Sequence, residues 1–417
     1  MSSMHGTVAG IDVHKKMLVV VILRSANPEV DYATGRFGTT HYALEQLAAF
    51  LRQHGVTEVA MESTAQYWRG VWMALEGEFQ LTLAQARSTR AVRGRKRDLA
   101  DARRIARRLL SDDLTVSYVP PPEQREWRLL SRARVAMQES VSRLHSQIEV
   151  LLEQAQIKLS SVVSDILGLS GRRILHAIVD GISDPEQLAA LAHHRLRASK
   201  EELSDALWGR MTSSQRLVLK LYLEQIEQTE KHMAELEKSL AAALSAEQDT
   251  IVRLCGHPGI STLSAQQIIA EVGPHAAAFA SAGQLASWVG ICPGSHESAG
   301  VSTSDRCPKG NRMLRRVLSQ VAWAAIAAKG SEPQRRYRRW LSQHFDPSRA
   351  AWAVAHYILR VIWHMLHEAA AYRLPDHAAL DEASIVRKAK RVMSELRKLG
   401  YTVSVTPPIT QAQAAKA

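Results

Sequence analysis

Three consecutive prolines, Pro120, Pro121 and Pro122, separate two kinds of apolar patterning in this chain. Proline lacks a backbone N–H and its ring clashes with a preceding helical turn, so an element that precedes the triplet must end there. Ahead of it, short β-rich runs alternate with amphipathic stretches. Behind it, apolar residues recur at steps of three, four and seven, the spacing of helices that bury one stripe. The 417 residues are more than one ordinary core organises, and two or three units are expected.

In the first part, strands are predicted over Thr7 to Asp12, Leu18 to Leu23 and the GRFGTT run of Gly35 to Thr40. A helix follows over His41 to Gln53, a strand over Glu58 to Met61, a helix over Trp68 to Leu75, a strand over Gln80 to Gln85 and a helix from about Leu99 to Leu110. The order β-β-β-α-β-α-β-α resembles an RNase H-like sheet, so the fold class expected is an α/β RNase H-like (RuvC-like) domain over 1–115 with helical segments after it. Leu130, Met137, Val141, Leu144, Ile148 and Leu151, then Leu219, Ile226, Met233 and Leu240 with Leu236 between, predict a coiled-coil region over 120–245. Its two long helices pair within one chain or between two. His193 and His194, which lie between the two stripes, read as surface residues. A compact, mainly helical domain is expected over 250–372, interrupted by a polar, turn-rich loop from Gly294 to Gly310. A basic helix over Ser384 to Leu399 and a frayed tail make up 373–417.

Lys and Arg outnumber Asp and Glu by 53 to 41, for a formal charge of +12. Such an excess favours a polyanion held through its phosphates, and nucleic acid is the leading candidate. An acidic membrane surface would also attract it, but no run approaches the roughly eighteen apolar residues of a spanning helix. The start MSSMHGTVAG lacks the charged and apolar regions of a secretory signal. Cys255, Cys292 and Cys307 form neither a CxxC pair nor an even set. Reduced thiols in a soluble, cytoplasmic protein are therefore expected.

Four carboxylates carry the chemistry. Asp12 ends the apolar strand GIDV and Glu62 ends VAMES, so both emerge at one edge of a parallel-paired sheet. Asp98 and Asp101 stand three apart at the start of a helix and project from one face. Acids at that place also suit the positive end of a helix, which is the ordinary reading of the pair. All four together make an oxygen-rich cluster that repels itself unless a cation or nearby arginines neutralise it. Mg²⁺ or Mn²⁺ prefers such oxygens, and two ions can activate an attacking group and steady the leaving oxygen of a phosphodiester. Arg87, Arg90, Arg93, Arg95, Lys96, Arg97, Arg103, Arg104, Arg107 and Arg108 crowd the same region, where they read as phosphate contacts or as a solvated face. A further segment, LCGHPGISTLSAQQIIAEVG, resembles a helix-hairpin-helix turning at Gly259, with phosphate contact and plain helix packing both open.

Nearly the whole chain resembles the DEDD transposases of the insertion-sequence-110 type, in which a RuvC-like domain precedes a second transposase domain. GIDVHKK around Asp12, AMES around Glu62 and KRDLADARR around Asp98 and Asp101 look like that family's four acidic positions. The segment GICPGSHESAGVSTSDRCPKGNRMLRRVL resembles its serine loop. By that resemblance Ser298 is the nucleophile, surrounded by Pro293, Lys309, Gly310, Asn311 and Arg315, with Arg312 in the basic helix that follows. Two departures stand out: lysine and glycine are adjacent, and Ala299 holds the place where glycine is usual, which leaves Ser302 and Ser304 as alternatives. The resemblance implies serine attack on DNA to give a covalent 5′-phosphoserine, with DNA and nucleic-acid contacts from Lys309, Asn311, Arg312 and Arg315. It also implies a structured guide RNA and assembly as a dimer or tetramer. Without the resemblance, a RuvC-like junction nuclease using water and a non-catalytic nucleic-acid-binding protein are the alternatives.

Overall fold

The computed structural model describes residues 6–63, 65–85, 98–292, 309–343 and 346–373, with 307, 393, 394 and 397, and the backbone of 296–298 and 301–304. The chain divides into two compact units, Met1–Pro122 and Glu123–Ala417.

The first unit is a five-stranded sheet. Its strands are β1 (Thr7–Val13), β2 (Met17–Arg24), β3 (Ala33–Gly38), β4 (Glu58–Glu62) and β5 (Gln80–Ala84), in the order β3-β2-β1-β4-β5. β2 runs antiparallel to β1 and to β3, whereas β1–β4 and β4–β5 are parallel. The parallel pairs need crossovers, which α1 (His41–Gln53) and α2 (Trp68–Leu75) supply. α1 starts where the Thr40 side chain accepts from the Ala43 amide. β1 and β2 are almost continuously apolar because helices cover both faces of the sheet.

On one face Ala9, Ile11, Val13, Leu18, Val20 and Ile22 pack against Leu44, Leu47 and Leu51 of α1 and Val71 and Leu75 of α2. On the other, Val8, Val19, Val21, Leu23 and Ala60 pack against Ala102, Ile105, Ala106 and Leu109 of α3 (Asp98–Leu110). The pleat puts alternate residues on one face, so Val8, Gly10 and Asp12 share the α3 side, as do Ala60 and Glu62. Gly10 sets how closely α3 approaches: a Cβ there would lie 2.2 Å from the Ala102 carbonyl oxygen and 2.5 Å from the Ala106 nitrogen. Beyond β5, Ala84 bridges Val116 and Gln85 donates to the Thr115 carbonyl at 2.9 Å, which pairs the otherwise open edge.

The second unit begins with α4 (Pro122–Gln154) and continues through α5 (Leu159–Val162), α6 (Leu169–Val179), α7 (Pro185–Ala190) and α8 (Lys200–Ala206) to α9 (Ser213–Ala243). The two long helices lie antiparallel: the Trp127 indole donates to the Ala243 carbonyl at 3.2 Å, and Arg134 meets Glu237 at 2.6 Å. The apolar stripes are thus paired within one chain. Val141, Leu144, Ile148 and Leu151 of α4 share a core with Leu219, Leu223, Ile226 and Met233 of α9 and with the four short helices.

A second core gathers α10 (Gln248–Cys255), α11 (Thr262–Val272), α12 (Ala282–Val289), α13 (Arg312–Ala327), α14 (Glu332–Leu341) and α15 (Pro347–His367). Trp127, Leu240 and Leu244 of the long helices enter this core, so helical arm and helical bundle are one compact body. Between α12 and α13 the expected polar loop contains a hairpin, β6 (His296–Ser298) antiparallel to β7 (Val301–Ser304). The alternating β-branched run VSTS accounts for the second strand. Most of the basic helix expected over Ser384 to Leu399 lies outside the described residues.

Candidate active site

Asp12 stands near the end of β1, and Ile11 beside it pairs with Met61, so Asp12 and Glu62 occupy the next positions on adjacent parallel strands. Asp98 and Asp101 form the first turn of α3, which lies over that side of the sheet. Asp12 is largely buried, with 15 % of its side chain exposed. Burial raises its carboxyl above the ordinary range; His14 lowers it, and Asp101, Asp98 and Glu62 raise it further. Asp12 is therefore close enough to the other three acids to feel their charge. The His14 Nε2 atom is 3.2 Å from Asp12 and 3.5 Å from Asp98. Ligand atoms of Asp12, His14 and Asp98 lie within 4.8 Å of one another, the one such group among the described residues. Arg104 pairs with Asp101 at 2.6 Å.

The serine-bearing hairpin belongs to the second unit. Ser298 ends β6 and pairs with Val301, and Ser302 and Ser304 lie on β7. The side chains of these serines lie outside the described residues, as does Pro293. The segment that leads into α13 is well fixed. Gly310 packs flat on the Val289 carbonyl at the end of α12, and the Asn311 amide donates to the Trp288 carbonyl at 3.3 Å. Asn311 caps α13, its side chain accepting from the Leu314 amide at 3.0 Å, while its Nδ2 donates to Glu271 at 2.7 Å. Arg315 donates to the Gly290 carbonyl at 3.0 Å and lies over the Trp352 ring. Lys309 and Arg312 are exposed and, with Arg132, Trp288, Gly310, Asn311 and Met313, line an open cavity of about 510 Å³.

Glu271 is the hub beneath this cavity, with 1 % of its side chain exposed. Arg132 grips it with two bonds, at 2.7 and 2.8 Å, and Arg128 approaches to 3.6 Å. Burial alone pushes this carboxyl up, but Arg132, Asn311 and Arg128 together hold it below the ordinary range. Gln124 and Arg128 donate to the Ala270 carbonyl, so positions four apart on α4 close the end of α11.

Residues 9–157 match the DEDD transposase family of the IS110 type, and residues 252–338 match the transposase family IS116/IS110/IS902. The chain is a member of the IS110-type DEDD transposases. No curated protein matches it. Membership makes the transposase an enzyme that binds, cuts and rejoins DNA, and suggests use of a divalent metal. No described helix is long and apolar enough to cross a membrane.

The arginines of the transposase's α3 are engaged with acids. Arg103 bonds Asp31 at 2.7 Å through Nε, Arg107 meets Glu29 at 2.8 Å, and Arg108 lies 3.8 Å from Asp113. Arg103 and Arg107 thus tie the β2–β3 connection to the helix. Arg87, Arg90, Arg93, Arg95, Lys96 and Arg97 lie outside the described residues. The turn at Gly259 is a packing turn. Its φ is +88°, and a Cβ would lie 2.6 Å from the Val321 carbonyl oxygen and 2.5 Å from the Ala325 nitrogen of α13. Of the alternatives left open by sequence, backbone contact with α13 explains this glycine. Two residues escaped the sequence reading. His14 had only its closeness to Asp12 in GIDVHKK as a signal, because it lies one residue beyond the end of β1. Glu271 had none, because its partners come from α4 and from Asn311, far away in the chain.

Proposed function

We propose that this transposase is a Mg²⁺-dependent recombinase that excises and inserts its own mobile element, with Asp12, Glu62, Asp98 and Asp101 as the metal-holding set and Ser298 as the nucleophile. The observation that carries the reading is the convergence of the four carboxylates on one side of a sheet ordered β3-β2-β1-β4-β5. That order, with its two antiparallel and two parallel pairings, supports assigning the first unit to the RNase H-like, RuvC-like fold.

The donor set fits a hard divalent cation. Asp12 and Asp98 offer oxygens beside the His14 nitrogen, and the repulsion that adds to burial in raising Asp12 is what a cation relieves. Mg²⁺ and Mn²⁺ are both favoured by the carboxylate oxygens. A bound cation supplies charge neutralisation to a phosphodiester and its leaving oxygen.

Ser298 Oγ forms a bond to phosphorus as the P–O3′ bond breaks, and the departing 3′ oxygen takes up a proton. The 5′-phosphoserine conserves the bond's energy, so a 3′ hydroxyl can later displace the serine and rejoin DNA without ATP. Lys309 and Arg312, both exposed, hold backbone phosphates. A structured RNA from the element guides target choice, consistent with the net charge of +12. The working form is a homo-oligomer.

The test is incubation of the protein with element-end DNA, cellular RNA and Mg²⁺, followed by denaturing electrophoresis. An adduct present with the native chain and absent with Ser298→Ala supports the reading. Nicked DNA without an adduct favours the water-using nuclease.

A further inference from the structure

The Asn311 side chain does two things where capping needs one. Any Ser, Thr, Asp or Asn can supply the oxygen that accepts from the third helical amide. Here Asn311 Oδ1 fills that role toward Leu314, which turns Nδ2 toward Glu271 at 2.7 Å. Glu271 in turn is buried and carries the Arg132 guanidinium on both oxygens. Burying a carboxylate is expensive, and an apolar side chain at such a site often serves stability as well or better. The cost secures a defined geometry in the segment that leads into α13. Glu271 joins α4, α11 and the first residue of the cap of α13, while Gly310 and the Asn311 amide are fixed against the end of α12. Lys309 and Arg312, on either side of that fixed pair, face one cavity together with Arg132 and Trp288.

We propose that Glu271 is a positioning residue: through Asn311 and Arg132 it fixes the turn from Lys309 to Arg312 so that the cavity lined by Arg132, Trp288, Lys309 and Arg312 seats one phosphodiester of the DNA being cut. The proposal deepens the serine-recombinase reading and rests on it for the identity of the ligand. Its chemistry is recognition only: exposed Lys309 and Arg312, the latter 3.3 Å from Glu139, supply the charge, beside an indole face and an Arg132 held on Glu271.

Exchanging the partners tests it. Asn311→Asp keeps the capping oxygen but sets a second carboxylate against Glu271, and adduct formation at saturating DNA should slow by about 10- to 100-fold, the range for a lost hydrogen bond to a charged group. Overall DNA affinity, spread over many phosphates, should change by less than about threefold. Glu271→Gln combined with Asn311→Asp restores a donor–acceptor pair between the two side chains and keeps one negative charge, but the new amide also meets Arg132 Nη2, which shares Oε2 with Asn311, so it should recover part and not all of the rate lost in Asn311→Asp. Lys309→Ala should slow the same step and should not be rescued by the exchange. Thermal melting accompanies each variant, and amide hydrogen exchange at residues 309–312 reads the geometry without any reaction: faster in Asn311→Asp, partly restored in the double variant.

A folded double variant with partly restored amide protection but no recovery of the adduct rate would overturn the role in the reaction. Unchanged exchange in Asn311→Asp would overturn the positioning itself. If the native chain forms no adduct, the serine reading fails while the exchange measurement still decides whether Glu271 sets this turn.

Discussion

Replacing Gly10 with alanine adds one methyl group at the point where β1 and α3 touch. The new Cβ would stand 2.2 Å from the Ala102 carbonyl oxygen and 2.5 Å from the Ala106 nitrogen. Ordinary carbon–oxygen contacts begin near 3.3 Å, so α3 must retreat by about 1 Å. Both atoms are helix backbone, so rotating a side chain cannot absorb the clash. Overpacking of this kind costs about 1–3 kcal/mol. The functional loss should be larger, because α3 carries Asp98 and Asp101 while β1 carries Asp12. A displacement of about 1 Å between catalytic groups can cost on the order of 100-fold in rate. Urea unfolding gives the stability of Gly10→Ala, and the rate of DNA cleavage at saturating Mg²⁺ gives its activity, measured where the variant is fully folded. A folded variant that cleaves within about threefold of the native rate would refute the claim that the spacing of α3 from β1 sets the site.

Two further outcomes follow from buried or crowded charge. His257, 1 % exposed, is held by burial at about 4, well below its ordinary 6.5. The unfolded chain therefore binds this proton first as pH falls, and stability should decline from about pH 6.5 down through pH 4 by up to about 3 kcal/mol. Urea unfolding at pH 7 and pH 4, compared with His257→Gln, isolates that slope, and equal slopes would contradict it. Asp12→Asn removes one of four mutually repelling carboxylates, so at neutral pH and without divalent ions it should melt higher than the native chain. Mg²⁺ should then raise the native melting temperature but not that of Asp12→Asn, and an equal rise in both would count against Asp12 as a ligand.

Much of the first unit was legible in the sequence because each element there carries its own periodic signal. α1 and α2 fall on the residues that the apolar spacing gives, and β4 and β5 differ by a single residue at one end. The neighbouring positions of Asp12 and Glu62 could be read because both end apolar strands, and the side of a strand is fixed by counting in twos. What the sequence left open depended on partners distant in the chain. The two long stripes could not say whether they pair within one chain or between two until Trp127 and Arg134 met Ala243 and Glu237. Gly259 read equally well as a phosphate-binding turn, and only the backbone of α13 against it decides for packing. Arginine density near Asp101 suggested phosphate contacts, yet Arg103 and Arg107 are occupied by Asp31 and Glu29 from another loop. Glu271 was invisible for the same reason: nothing in AEVG announces that two arginines and an asparagine will close around it.

The central claim is that a serine of the hairpin, supported by the four carboxylates, joins itself to DNA. The most direct measurement is mass spectrometry of the protease-digested, Mg²⁺-dependent protein–DNA adduct. The account predicts a nucleotide phosphate on Ser298 and no adduct with Asp12→Asn. A phosphate mapped to Ser302 or Ser304 would move the nucleophile along the hairpin, and cleavage that proceeds at the native rate in Ser298→Ala with no adduct would contradict serine chemistry altogether.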